Sequence, residues 1–107
     1  MSEKIITLRK VGDLFVCAIN KEEYGFIKWN WGQKNKIMTQ CIRQTPMGPQ
    51  LDTVEFNLAM LMATLKKAPF EVKREVIENH PDSQLMDLLV QITTKLNLLG
   101  DVEIKNL

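Results

Sequence analysis

At 107 residues the chain has the length of one domain, long enough to bury one continuous core. Hydrophobic residues make up 45% and charged residues 25%, the ordinary balance of a globular protein rather than a disordered or fibrous one. The formal net charge of +1 gives no whole-chain field that marks a nucleic-acid or membrane-surface binder, and the longest apolar run, Leu58 to Ala63, is far too short to span a bilayer.

Ile5 to Val11 and Leu14 to Ile19 are rich in β-branched and apolar residues, and Gly12-Asp13 between them is a fair turn dipeptide. The pattern predicts a β-hairpin. Asn20 to Glu23 read as a polar turn and Tyr24 to Trp29 as a third strand. Asn30 is a natural helix N-cap with Gln33 three residues on, so the pair approximates a capping box. The first helix is expected to run to about Gln44, with Lys34 (stem only), Ile37, Met38, Cys41 and Ile42 as its inner stripe and Lys34, Lys36 and Arg43 as its basic outer face. Thr45 to Leu51 contain Pro46, Gly48 and Pro49 and read as a loop or a small hinge.

Asp52 and Glu55 make a clearer capping box for a second helix. Its apolar residues, from Phe56 to Leu65, surround most of its circumference, the mark of a central helix. Lys66 and Lys67 are expected at its C-terminal, electronegative end, before Pro69 stops it. A short third helix is expected over Phe70 to Asn79, ended by Pro81. Asp82 or Ser83 caps a fourth, in which Leu85, Leu88, Leu89, Ile92, Leu96 and Leu99 recur at three- and four-residue steps up to Gly100. The fold class is therefore α+β: an N-terminal β-hairpin or three-stranded antiparallel sheet followed by a bundle of about four helices. One domain covers residues 1–107, with 1–29 β-rich, 30–99 helical and 100–107 a short tail.

Charge divides unevenly along the chain. Residues 1–50 hold eight Lys/Arg against four Asp/Glu, and residues 51–107 hold six against nine. Such asymmetry either orients a partner, favours head-to-tail assembly or is spread over solvated faces. Two cysteines, Cys17 and Cys41, do not make a disulfide framework. Met1-Ser2-Glu3-Lys4 leads into a short apolar run without a cleavage site, so a reducing cytoplasm is the expected compartment.

Chemistry is hard to place. His80 is the only histidine, without the converging ligands that a metal needs. Cys17 and Cys41 sit among apolar neighbours, which suits core thiols better than nucleophiles. Glu71 and Glu75 alternate with Lys73 and Arg74 as on an exposed helix face. The five glycines are scattered and form no phosphate-cradling loop. No catalytic residue, metal or cofactor is expected.

Binding is the better prospect. Trp29 and Trp31 serve as core packing, as protein-interface anchors or, flanked by Lys28 and Lys34, as a base-stacking platform. Met60, Met62 and Met86 lie on the two most apolar helices, where flexible thioethers either fill a core or line a groove for an amphipathic helix. The second helix looks apolar on more sides than four helices can cover, which favours a partner helix or self-association.

The order of features is a basic β-rich start, then Phe26-Ile27-Lys28-Trp29-Asn30-Trp31-Gly32-Gln33-Lys34-Asn35, a polar helix and a loop. An apolar helix ending Leu65-Lys66-Lys67-Ala68-Pro69-Phe70 follows, then His80-Pro81-Asp82 and a leucine helix ending Lys95-Leu96-Asn97. Over about Phe26 to Leu99 this resembles small tail assembly chaperones of tailed bacteriophages. Asn30 stands where Thr is expected and Gln33 where Glu is expected, and both keep the ability to cap. The resemblance implies a non-enzymatic protein of the host cytoplasm. Its partners would be the helical tape measure protein and the tail-tube protein, with Trp29, Trp31, Met60, Met62 and Met86 as the contact surface and homo-oligomers in view. A structural virion component, such as a tail or baseplate subunit, is the second reading; a small nucleic-acid-binding regulator is the third.

Overall fold

Leu8–Val11 (β1) and Leu14–Ile19 (β2) form the expected hairpin in the computed structural model, which describes residues 7–99 and 104–105. Gly12 makes its turn at φ +62°, and Val11 lies opposite Leu14. Ile5 and Ile6, assigned to the first strand from sequence, lie outside the described residues. The second turn is tighter than expected. Asn20 and Lys21 take φ +53° and +69°, the left-handed pair whose twist matches the strands it joins. Glu22 and Glu23 therefore belong to the ladder, and the third strand is Glu22–Phe26 (β3), not Tyr24 to Trp29. Ile27 to Trp29 leave the sheet because their backbone bonds go to the helices: Ile27 N–H to Thr64 O at 2.8 Å and Trp29 N–H to Asn97 Oδ1 at 2.9 Å.

Trp31–Gln40 (α1) starts as expected. Gln33 N–H donates to Asn30 Oδ1 at 2.8 Å, and Asn30 N–H donates to Gln33 Oε1 at 3.1 Å. The helix ends at Cys41, short of Gln44. Ile42–Thr45 (β4) and Gly48–Leu51 (β5) pair as a separate two-stranded sheet where a loop was expected. Local chemistry closes this hairpin: Thr45 Oγ1 accepts from Met47 N–H and donates to Gly48 O, and Gly48 takes φ +106°. Ile42 is consequently an exposed strand residue, not part of a buried helical stripe.

Thr53–Thr64 (α2) is capped by Asp52, whose Oδ1 accepts from Glu55 N–H at 3.1 Å. The reciprocal half of the box is missing because the Glu55 carboxylate is bound by Arg74 instead. Leu65–Lys67 (β6) is a strand on the edge of β3, so Lys66 and Lys67 do not close the helix; Lys67 bonds Glu23. Only Arg74–Glu78 (α3) is helical in the region expected to be helix from Phe70. The Phe70 ring is held outside it, packed against Tyr24 and His80 at centroid distances of 6.3 and 5.2 Å. Ser83–Thr94 (α4), capped by Asp82, continues into one π-helical turn over Lys95–Leu99. Ile104–Lys105 (β7) pairs parallel with β1, so these two tail residues complete a sheet edge.

The result is a mixed α+β fold with a five-stranded sheet in the order β6-β3-β2-β1-β7. Its strands come from both ends of the chain and from its middle, so the division into a β-rich 1–29 and a helical 30–99 does not hold. The larger core joins the sheet (Leu8, Phe15, Cys17, Tyr24, Phe26) to Leu61, Leu65, Leu89 and Ile92 of the helical layer. A smaller core joins Trp29, Cys41, Phe56 and Met60. Helix α2 contributes to both. Its apolar circumference is covered from one side by the sheet and α4 and from the other by Trp29 and α1, which accounts for the surplus read from sequence.

Candidate functional site

The tryptophan junction separates its two indoles. Trp29 faces inward, its ring 6.0 Å from that of Phe56, and its Nε1–H donates to Asn97 O at 3.3 Å. Trp31, two residues on and in the first turn of α1, is 79% exposed. Strand-like backbone before the cap and helical backbone after it send the two side chains to different environments. They form no shared stacking platform. Lys28 lies instead over the Phe15 ring, at 5.5 Å, and leaves Trp31 without that flank.

Asn97 is the hub beneath this junction. Its Oδ1 accepts from Trp29 N–H, and its Nδ2 donates to Ile27 O at 3.3 Å and to Thr93 Oγ1 at 2.9 Å. Thr93 and Thr64, both fully buried, share a 2.7 Å hydroxyl bond, and Thr64 donates onward to Met60 O at 2.8 Å. With the Thr64 proton committed, Thr93 must be the donor in the hydroxyl pair. The chain of donors thus runs Asn97, Thr93, Thr64, Met60 carbonyl, and each buried polar side chain among the described residues has a partner. The π-helical turn carries Asn97 to this position. Sequence periodicity alone gave Asn97 no role, although a polar residue amid the leucines of that helix was a signal.

The three methionines expected in the contact surface, Met60, Met62 and Met86, are interior or nearly so. Met60 is fully buried and offers a partner no surface; Met62 and Met86 are half-buried against the larger core. Among the five residues expected to form a contact surface, only Trp31 is widely open.

A different apolar surface exists. Of the six exposed large hydrophobic residues among those described, five fall between Trp31 and Val54: Trp31, Ile42, Met47, Leu51 and Val54. Ile42 and Leu51 are opposite one another across β4 and β5 and so share one face of the hairpin. Met47, at its turn, is 88% exposed, and Val54 in the first turn of α2 is 75% exposed. Arg43 braces the base of this β4–β5 hairpin, an open arm, through Gln40 O at 3.1 Å and Asp52 at 3.8 Å. Pro46, Gly48 and Pro49 give the segment the composition of a loop and so hide the two strands from a sequence pattern. The available signal was the placement of Ile42 and Leu51, nearly symmetric about Pro46-Met47.

Reactive chemistry is sparse. Burial pushes the Cys17 thiol up to about 11 and also raises that of Cys41, which suppresses both thiolates. His80 Nδ1 accepts from Asp82 N–H, a loop-closing bond ahead of α4. No group of three or more His, Cys, Asp or Glu among the described residues could hold a metal ion. Exposed ion pairs shift other groups: hydrogen bonding to Lys67 lowers the Glu23 carboxyl, and hydrogen bonding to Arg74 lowers that of Glu55. Shallow depressions lie beside Arg74 and Glu78, about 280 Å³, and beside Ile19 and Leu85, about 210 Å³. The described residues include no helix long and apolar enough to cross a membrane. Compared with protein-family models, curated proteins and solved structures, the chain matches none.

Proposed function

We propose that this chain is a non-enzymatic tail assembly chaperone of a tailed bacteriophage that covers helical segments of the tape measure protein in the host cytoplasm. The observation that carries this reading is the open apolar arm. A two-stranded hairpin is marginal in water on its own, and this one exposes Ile42, Met47 and Leu51. A mobile-ended thioether at the tip suits a surface that accepts varied apolar segments. The sequence pattern from Phe26 to Leu99 adds the phage context. The contact surface becomes Trp31 with the arm, in place of Met60 and Trp29.

Co-expression with the tape measure protein tests the reading. The expected outcome is a soluble complex that copurifies, with this chain absent from finished particles. Recovery of the chain in purified particles supports the virion-component reading instead. A tape measure protein that stays soluble and ignores this domain refutes the proposal.

A further inference from the structure

We infer that the outer edge of β4 pairs with the same edge of a second copy of this chain, joining two arms into one four-stranded sheet. The inference goes beyond the chaperone reading and does not rest on it. Asp52 N–H donates to Cys41 O at 2.8 Å, and the next pair up the arm is Ile42 opposite Leu51. Hydrogen-bonded and non-hydrogen-bonded pairs alternate along an antiparallel ladder. Arg43–Gln50 and Thr45–Gly48 are therefore bonded pairs, whereas Ile42–Leu51 and Gln44–Pro49 are not. The N–H and C=O of Ile42 and Gln44 consequently point out of the hairpin on the β4 side. On the β5 side the outward position falls to Pro49, which has no N–H to offer, so that edge carries a proline guard. Strand β4 has no such guard: it contains neither proline nor lysine, and its one charged residue, Arg43, is held toward the base of the arm by Gln40 O and Asp52. Its only strand neighbour is β5, and among the described residues the outward groups of Ile42 and Gln44 have no partner.

The edge itself selects the occupant. A helix has its backbone groups bonded internally, so it can cover Ile42 but leaves the edge unpaired. An extended strand from another protein pairs the edge and then turns its own outer edge to solvent, so the ladder stays open. A second copy pairs the edge and closes the ladder. A two-fold axis through Arg43, perpendicular to the sheet, sets Ile42 opposite the second copy's Gln44 and Gln44 opposite its Ile42. Both become bonded pairs of the new ladder, and each exchanges two N–H···O bonds. The outermost strands of the product are then both β5, each guarded by Pro49. Arg43 projects to the face opposite Ile42. Each Arg43 leans to its own Asp52, and the two-fold puts those aspartates at opposite ends of the joined strands, which limits the repulsion between the two guanidinium groups. Ile42 and Leu51 of both copies share the other face, a broader apolar surface than one arm presents.

The test is the oligomeric state of the full chain, measured by sedimentation velocity over a concentration series and read beside amide hydrogen exchange. A monomer–dimer equilibrium is expected. The Ile42 and Gln44 amides should gain protection as concentration rises, while those of Arg43 and Thr45, bonded within the hairpin, stay protected throughout. Gln44→Pro deletes one outward N–H and no bond of the hairpin, so each dimer loses two bonds and the dissociation constant should rise about thirtyfold. Unchanged circular dichroism and retained protection of the Arg43 and Thr45 amides show that the arm is intact in the variant. Should the variant loosen the arm, the concentration dependence of the two outward amides in the parent chain decides. A chain that stays monomeric at every concentration overturns the inference. A dimer that survives Gln44→Pro, or that forms without protecting the Ile42 and Gln44 amides, overturns it in favour of association through the apolar face.

Discussion

Replacing Asn97 tests the polar hub most directly, because one side chain serves three elements. Asn97→Ala removes three side-chain hydrogen bonds, those with Trp29 N–H, Ile27 O and Thr93 Oγ1. At about 1 kcal/mol net for each, the loss is about 3 kcal/mol. A domain of this size is held by roughly 5–15 kcal/mol, so the effect is large. Urea unfolding followed by Trp29 fluorescence should show the midpoint falling by about 2 M at a slope of about 1.5 kcal/mol/M. Asn97→Asp is the sharper probe. A carboxylate still accepts from Trp29 N–H, but its second oxygen faces the Ile27 carbonyl, where a donor is required. The variant should therefore be destabilised at neutral pH. It should recover partly as the pH falls through the carboxyl pKa, when a protonated oxygen can donate. Thr64→Val with Thr93→Val should cost less than the sum of the single changes, since both remove the one bond the hydroxyls share and Thr64→Val alone strands the Thr93 proton. Both Asn97 variants unfolding within about 0.5 kcal/mol of the parent, with no recovery in acid, refutes the hub.

Three further outcomes follow from the same geometry. Trp29→Ala should cost about 3–5 kcal/mol in urea unfolding, whereas Trp31→Ala, at an exposed site, should stay within about 0.5 kcal/mol. Gly25 is pressed between strands: an added Cβ would lie 3.1 Å from the Lys67 Cβ and 3.3 Å from Leu14 Cδ1, so Gly25→Val should lose about 1–3 kcal/mol and loosen the β3–β6 pairing seen by amide exchange. Glu23 and Glu55 have carboxyls lowered by their cationic partners, so their contribution is present above the ordinary glutamate range and is lost as pH falls through the lowered folded values. Unfolding midpoints between neutral and acid pH should drop less in Glu55→Gln than in the parent; an identical pH profile contradicts the pairing.

Local chemistry was legible in the sequence. The β1–β2 hairpin, the Asn30–Gln33 box and the Asp52 and Asp82 caps each depend on residues a few positions apart, and each appears as read. What was hidden depends on distant partners. Leu65–Lys67 reads as the end of an apolar helix, and only the open edge of β3 makes it a strand. Glu55 reads as half of a capping box until Arg74, nineteen residues away, takes its carboxylate. The same limit governed the candidate surface. Periodicity marks Met60 as apolar without saying that Trp29 and Cys41 cover it, and it marks Ile42 as helical stripe without knowing that the chain turns at Cys41.

The edge position of β6 also sets a schedule for folding during synthesis. Strands β1 to β3 are made first, yet their inner face stays bare until α2 arrives, β6 cannot join until Lys67 is out, and α4 with the π-helical turn after it closes the core only at Ile92 and Leu96. At roughly 5–20 residues per second, the interval from Phe26 to Leu96 lasts several seconds. A chain whose sheet is assembled from distant segments must cross that interval with Phe15, Tyr24 and Phe26 uncovered, and its yield in cells should depend on how quickly the second half follows the first.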